Sequence, residues 1–476
     1  MKKFLISTAT IATCLLAGTL SLTSCGDDDP TTPEVPSDPE QPTNPDTPNE
    51  ATAMSPAEQQ KRMEDIAKEV MGMMPSNDFK SYADLAHYVE TNYNEDNYDW
   101  DDVSDWARTC WDAARTATGN TYTERDDSYY SSGKYVYKEY KALILASNFT
   151  GHFKASGGKW THSKASDLQF TFRGNTGDDC TLKIETSGNV TKVYVANWDE
   201  WTDYESSYEN DTYKWTDYYD RTQCTVGVPE NIVVTLTQGG RQLVKTTVNI
   251  KLSGLSGENF DISKGNLNVA ANVELSNGYT FSTSEVKYAG NSKLTVAQAS
   301  MKKNGTTILT MAMSGDISGL PSCNVEAFSK DNFDLDDYNT SNANAKNAYV
   351  KIDVLGKIQL QGIVSDVRKY CDLIDQSDEY ELEGSKFQSC IDQANKLSDV
   401  NVFYDNATTK QASVYLEPFA KDEGWQDSKY WEFEPVMKFY DGSSISPFSS
   451  FFNDNDFRSV IRMYERLVED YGDLFE

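Results

Sequence analysis

From about Lys134 to Gly319 apolar and polar residues alternate in short runs, each closed by Gly, Asn or Ser, and this pattern most narrows the fold. A period of two marks strands with one buried face, and the Gly- and Asn-rich breaks supply turns that need positive φ. Val233 to Leu236, Gln238-Gly239-Gly240 and Leu243 to Leu252 read as a hairpin. Leu267 to Leu275, Asn277-Gly278 and Tyr279 to Val286 read as another. Leu294 to Met301, Lys303-Asn304-Gly305 and Thr306 to Met313 read as a further one. Short links between successive strands make an antiparallel meander over 131–320 the economical topology.

Helical patterns flank that region. In 51–130, Ser55-Pro56-Ala57-Glu58 is a capping box with proline at the first helical position. Met63, Ile66, Ala67, Val70, Met71 and Met74 follow at helical spacing, and Pro75 stops the run. Phe79, Tyr82, Leu85, Ala86 and Val89 repeat the stripe. Val103, Trp106, Ala107, Cys110, Trp111 and Ala114 form a third, expected to end at Gly119-Asn120. Such Met and Trp stripes fit core packing rather than a cofactor box. In 321–476 the pattern gives a strand over 349–364, a helical hairpin over 367–397, and strands over 400–416 and 431–440. Cys371 and Cys390 stand where they can staple the arms of that hairpin. Phe457, Val460, Ile461, Tyr464, Leu467 and Val468 mark a closing amphipathic helix. The expected class is α+β: N-terminal helices, a long curved antiparallel β-meander, then a helical hairpin and C-terminal helix packed on one face. The segments 51–130, 131–320 and 321–476 are expected to form one compact body. A curved meander with helices in its concavity resembles the half-barrels of bacterial lipoprotein carriers, a likeness of fold only.

The N-terminus has a different logic. Lys2 and Lys3 precede a largely apolar or small stretch from Phe4 to Leu20, then Leu22-Thr23-Ser24-Cys25. That order is a secretory signal over 1–24, too short and Thr-rich for a stable membrane span. Its ending resembles the lipobox of bacterial lipoproteins, which implies cleavage before Cys25 and acylation of that residue, with palmitate as the natural label. Cys25-Gly26-Asp27-Asp28-Asp29 resembles the acidic export tag of Bacteroidetes surface lipoproteins. The resemblance implies a lipid-anchored protein of the outer membrane, facing the cell exterior. The body is similar to uncharacterised lipoproteins of gut Bacteroidetes, and no functional residue carries over. Over 25–50, Pro30, Pro33, Pro36, Pro39, Pro42, Pro45 and Pro48 recur every third residue. With three residues per turn of polyproline II these rings share one edge of a spacer reaching about 60 Å at roughly 3.1 Å per residue.

Charge removes whole classes of partner. The chain carries 43 basic and 74 acidic residues, net −31, which argues against nucleic acid. With 28 Tyr, 20 Phe and 9 Trp it is nevertheless not a disordered acidic chain. Histidine occurs only at His87, His152 and His162. A two-residue turn at Gly157-Gly158 sets His152 opposite Ser163 and His162 opposite Phe153, so the two point to opposite faces and share neither metal nor proton relay. Cys110, Cys180, Cys224, Cys323, Cys371 and Cys390 lack C-x-x-C spacing, which removes zinc and thioredoxin-like readings and favours buried thiols over as many as three disulfides. Gly158-Lys159-Trp160 is not a P-loop and Gly254-Leu255-Ser256-Gly257 is not a nucleophile elbow. The acidic stretches 94–105 and 331–337 lack EF-hand order. No catalytic residue, metal or cofactor is expected.

One concentration remains. Tyr194, Trp198, Trp201, Tyr204, Tyr208, Tyr213, Trp215, Tyr218 and Tyr219 are interleaved with Asp199, Glu200, Asp203, Glu205, Glu209, Asp211 and Asp217, and Asn210-Asp211 suits the tip of a long hairpin. Aromatic faces stack on sugar rings and anchor protein interfaces, and carboxylates accept hydroxyl hydrogen bonds. Core packing of alternate rings is the competing explanation. The expected function is non-enzymatic binding of an extracellular glycan or protein through Trp198, Trp201, Tyr204, Tyr208, Tyr213 and Trp215. The alternatives are a carrier of lipid or another apolar ligand in a half-barrel, and a glycoside hydrolase with paired carboxylates, which leave no local sequence mark.

Overall fold

A computed structural model describes residues 53–127, 131–209, 212–254, 265–289, 293–318, 345–422, 429–440 and 442–445. The signal, Cys25, the proline spacer, Cys323, 331–337 and the expected C-terminal helix lie outside the described residues. The helices are α1 (Pro56–Met73), α2 (Lys80–Asn92), α3 (Asp101–Ala114), α4 (Val367–Glu379) and α5 (Gly384–Leu397). The strands are β1 (Arg115–Asp127), β2 (Ser131–Leu145), β3 (Gly151–Ser156), β4 (Lys159–Ser163), β5 (Leu168–Arg173), β6 (Asp179–Glu209), β7 (Thr212–Gln238), β8 (Arg241–Ser253) and β9 (Asn266–Leu275). They continue with β10 (Tyr279–Ala289), β11 (Lys293–Lys303), β12 (Thr306–Asp316), β13 (Lys346–Val354), β14 (Ile358–Asp366), β15 (Ser398–Tyr404), β16 (Ala412–Asp422), β17 (Lys429–Phe439) and β18 (Ser444–Ile445). The content is mixed and mostly β, of the α+β kind. Two compact units share the chain: one holds the described residues up to Tyr88 and from Val269 onward, the other Val89–Asn268.

In the first unit each strand from β10 to β18 pairs antiparallel with the next. The expected strand over 349–364 is in fact a hairpin, β13 and β14, turning at Leu355-Gly356 with φ of 57° and 69°. Leucine in that conformation is no turn signal, so periodicity alone ran through it. The run over 400–416 likewise divides into β15 and β16 between Tyr404 and Ala412, where Asp405 and Asn406 both stand at positive φ. Helix α1 begins at the capping box: Ser55 accepts from the Glu58 amide while the Glu58 carboxylate accepts from the Ser55 amide at 2.8 Å. Its Met63 packs with Val402, Tyr404, Ala412, Met437 and Phe439. The fully buried Gln59 donates to the carbonyls of Met54 and Gln411, each at 3.1 Å. Between β14 and β15 stands the α4–α5 hairpin. Asn395 of α5 grips the edge of β16, donating to the Leu416 carbonyl at 2.7 Å and accepting from its amide at 2.8 Å. Cys371 and Cys390, placed where they could staple the hairpin, are thiols, the form the cysteine spacing favours. Cys390 instead donates to Gln376 Oε1 at 3.7 Å.

The second unit departs from a meander, because β2 pairs parallel with β7 and β3 pairs parallel with β5. The very long β6 and β7 form one antiparallel ribbon from Cys180↔Gln238 to Glu209↔Thr212. Residues 231–238 of β7 carry β8 on their outer edge, whereas 213–227 carry β2 and then β1. The β5 strand covers β6 only at 179–184. Helix α3 stops at Ala114, short of the expected Gly119-Asn120, because the Thr-rich segment that follows finds its hydrogen-bond partners on β2. The core here is aromatic: Phe153, Trp160 and Phe172 are buried, with Tyr93, Tyr98, Trp100 and Trp106 packed around them at centroid distances of 5.0–6.0 Å. Tyr93 also holds β5 in place, its hydroxyl donating to the Arg173 carbonyl and accepting from the Arg173 amide, each at 3.0 Å.

Candidate functional site

The histidines are placed as their hairpin register requires, with His152↔Ser163 and Phe153↔His162 paired. His152 Nε2 lies 2.7 Å from Asp167 Oδ1, and the Asp167 carboxyl is held below its ordinary value chiefly by that bond. His162 packs on Phe153 and Trp106, and His87 is exposed on α2. Among the described residues no group of His, Cys, Asp and Glu is arranged to hold a metal ion, and no helix is long and apolar enough to cross a membrane.

The aromatic stretch lies on the half of the β6–β7 ribbon flanked by β2 and β1. Directly opposed residues on paired strands share a face, and side chains two apart along a strand do too. These rules sort the stretch into rows across four strands. Trp201, Tyr219, Tyr137 and Tyr122 make one row. Tyr204, Asp217, Tyr135 and Glu124 make the next. Ser206, Trp215 and Gly133 follow, then Tyr208, Tyr213 and Ser131. Strict alternation would put Trp201 and Tyr204, three residues apart, on opposite faces. A bulge between Trp201 and Asp203 turns them to the same one.

Of the six residues expected to bind, five therefore share a face: Trp201, Tyr204, Tyr208, Tyr213 and Trp215. Trp198 does not. It pairs with Thr222 and projects from the opposite face, 59% exposed. Trp201 (58%) and Tyr208 (70%) are open to solvent, as are Tyr204 and Tyr213, whose hydroxyls are hydrogen-bonded to each other. That bond holds the Tyr204 phenol above and the Tyr213 phenol below the ordinary value. Tyr194 is buried, and Tyr218 faces away, its hydroxyl donating to Glu205 at 2.9 Å.

The inner rings form a packed backing. Tyr122 stacks on Tyr137 at 4.8 Å, Tyr137 on Tyr219 at 5.4 Å, and Trp215 meets Tyr135 edge-on at 4.9 Å. Arg221 closes the row, its guanidinium 4.0 Å from the Tyr137 centroid and 5.2 Å from that of Tyr122. It is held by both carboxylate oxygens of Asp199, at 2.7 and 2.5 Å, which pushes its already high pKa further up. Burial, with a hydrogen bond to Glu124 second, raises the Tyr122 phenol to about 12. Tyr122, Tyr135, Tyr137 and Arg221 were missed in the sequence. Tyr135 and Tyr137 enter through the parallel β2–β7 pairing, which joins segments some eighty positions apart and leaves no local signal, and Tyr122 follows through the β1–β2 pairing, while Arg221 lies on β7 itself.

Below the Trp201 row, a depression of about 410 Å³ is lined by Thr118, Asn120, Glu139, Tyr140, Lys141, Asn197, Arg221 and Gln223. Asn197↔Gln223 and Asp199↔Arg221 are opposed pairs, with Lys141 and Glu139 beside them on β2. The β1 pairing breaks between Ala117 and Thr121, and the released Thr118–Asn120 loop forms the outer wall, Gly119 at φ 83° allowing the bend. Searches for known relatives matched no family model, no curated protein and no solved structure.

Proposed function

We propose that this protein is a lipid-anchored protein of the outer membrane, facing the exterior, that binds an extracellular glycan or protein without chemistry. The observation that supports this is the aromatic face of the β6–β7 ribbon. Exposed rings of Trp201, Tyr204, Tyr208 and Tyr213 share a face with the packed rings of Tyr135, Tyr137, Trp215 and Tyr219. Large rings on strands lose little entropy on binding, and grouped exposed aromatics characterise recognition surfaces. The spacer over 30–48 and the acids after Cys25 suit a body held away from the membrane.

The test is Trp201→Ala with Tyr208→Ala, scored against Trp198→Ala on the other face, using a glycan array and capture of surface proteins. The double change is expected to reduce retention of the wild-type ligand tenfold or more, and Trp198→Ala to leave it within twofold. Equal effects on the two faces would overturn the site. Release of reducing sugar from a retained glycan would overturn the non-enzymatic reading, and failure of labelled palmitate to enter the protein would overturn the anchor.

A further inference from the structure

The aromatic face runs without a break into the polar depression below it. We propose that this depression is the specificity subsite of a glycan-binding cleft, taking a neutral sugar unit whose chain continues over Trp201 toward Tyr208. The inference rests on the aromatic face as the ligand platform and narrows its ligand to a neutral oligosaccharide.

Three observations carry it. The first is the lining chemistry. Asn197 and Gln223 stand side by side on one face, with Thr118 and Asn120 on the opposing wall and Lys141 and Glu139 between. Gln223 offers two donors and an acceptor in one plane, and Asn197 offers its amide N–H donors while its Oδ1 accepts from the Tyr194 hydroxyl at 2.9 Å, a set that suits neighbouring hydroxyls, which donate and accept at once. An apolar ligand would desolvate the amide N–H groups of Asn197 and Gln223 without replacing their hydrogen bonds to water. The volume, about 410 Å³, sits at the small end of the range of about 300–1,000 Å³ usual for small-molecule sites. One short unit fits there, and a bulky side chain cluster of a folded protein does not.

The second is charge. Arg221 faces the depression, but its guanidinium is engaged by both oxygens of Asp199 and by the Tyr122 hydroxyl. It is thus neutralised by a partner already in place. Glu139 and Lys141 line the depression with opposite charges, and Glu124 and Asp217 lie in the Tyr204 row above it. In a chain of net charge −31 such acids repel uronate or sulfate groups. Neutral sugars carry no such penalty.

The third is continuity. The Asn197 and Asp199 rows lie immediately below the Trp201 row on β6, β7 and β2. From the Tyr219 row to the Tyr213 row is six residues, about 20 Å at roughly 3.4 Å per residue, so the platform is longer than a single sugar. The hydrogen-bonding end selects, and the stacking end adds length-dependent affinity.

The experiment is affinity electrophoresis of the full chain through gels holding xyloglucan, galactomannan or dextran, and through gels holding polygalacturonate or heparin. Wild type, Trp201→Ala, Trp198→Ala and the pair Asn197→Ala with Gln223→Ala are compared, with near-ultraviolet circular dichroism confirming that each retains its aromatic packing. Retardation by at least one neutral polysaccharide is expected, lowered tenfold or more by Trp201→Ala and by the Asn197 and Gln223 pair, and unchanged by Trp198→Ala. A folded Asn197 and Gln223 variant that binds as wild type overturns the subsite while leaving the aromatic platform standing. Retention by the acidic gels alone overturns the neutral class. Retention by none of the gels, with a surface protein captured in a Trp201-dependent way, overturns the sugar ligand and keeps the platform. Loss of no ligand in Trp201→Ala overturns the platform itself.

Discussion

Gly133 of β2 offers a sharp test of the aromatic packing. A Cβ built there would stand 1.9 Å from Cε2 and 2.0 Å from Cζ2 of the Trp215 indole. Ordinary carbon contacts lie at about 3.5–4.0 Å, so the indole must retreat by about 1.5 Å or more. Gly133 is buried and Trp215 half-buried, so the ring can swing outward but only by leaving Tyr135. Overpacking costs about 1–3 kcal/mol in general, and loss of an aromatic pair about 0.5–1.5 kcal/mol. Because the ring has solvent on one side, Gly133→Ala is expected to cost about 1–2 kcal/mol, near the lower end of the overpacking range. At about 2–4 °C per kcal/mol for a unit of this size, the melting transition should fall by about 2–8 °C. Near-ultraviolet circular dichroism should lose intensity together with it. In a Trp215→Ala background the obstacle is gone, and Gly133→Ala should then be neutral to within about 0.5 kcal/mol. An equal penalty in both backgrounds would refute the reasoning, since the cost would then lie in the β2 backbone and not in the indole above it.

Two further outcomes follow from single groups. The Tyr122 phenol is raised by burial to about 12, above the value of about 10 it has in an unfolded chain. Between those values the unfolded state releases a proton that the folded state keeps, so stability is full below pH 10 and falls as pH rises toward 12. Alkaline denaturation followed by tyrosinate absorbance should show this slope, and Tyr122→Phe should flatten it; an unchanged slope would argue against a half-buried phenol held protonated by its surroundings. Asn395→Ala strips both hydrogen bonds from the Leu416 backbone and should lower stability by about 1–3 kcal/mol in urea unfolding, with Asn395→Asp, which keeps the acceptor, falling between.

Local physics was legible wherever neighbours in sequence are neighbours in space. The capping box at Ser55, the turns at Gly157-Gly158, Gly239-Gly240 and Asn304-Gly305, and the opposed placement of His152 and His162 depend on a few adjacent residues. The α4–α5 hairpin was legible for the same reason. Errors arose where a local cue was absent or misleading. Leu355 turns at positive φ without a turn residue, and α3 yields to a strand at Arg115 because β2 supplies its partners. In the candidate site, the concentration of rings between Tyr194 and Tyr219 was visible, but their grouping was not. A bulge at Thr202 moved Tyr204 to the face of Trp201 and left Trp198 on the other.

The sequence by itself therefore determined the composition of the ribbon, the Gly- and Asn-containing turns of the shorter hairpins and the acidic, ring-rich character of the surface, because these are properties of residues and their immediate neighbours. Tertiary structure alone decided which rings stand together and what stands behind them. The parallel docking of β2 on β7 brings Tyr135, Tyr137 and Glu139 beside Asp217, Tyr219 and Arg221, and the loosened β1 edge adds Thr118 and Asn120. Strand pairing between distant segments is fixed by the fit of whole edges and faces, and that fit is written in no single stretch of chain.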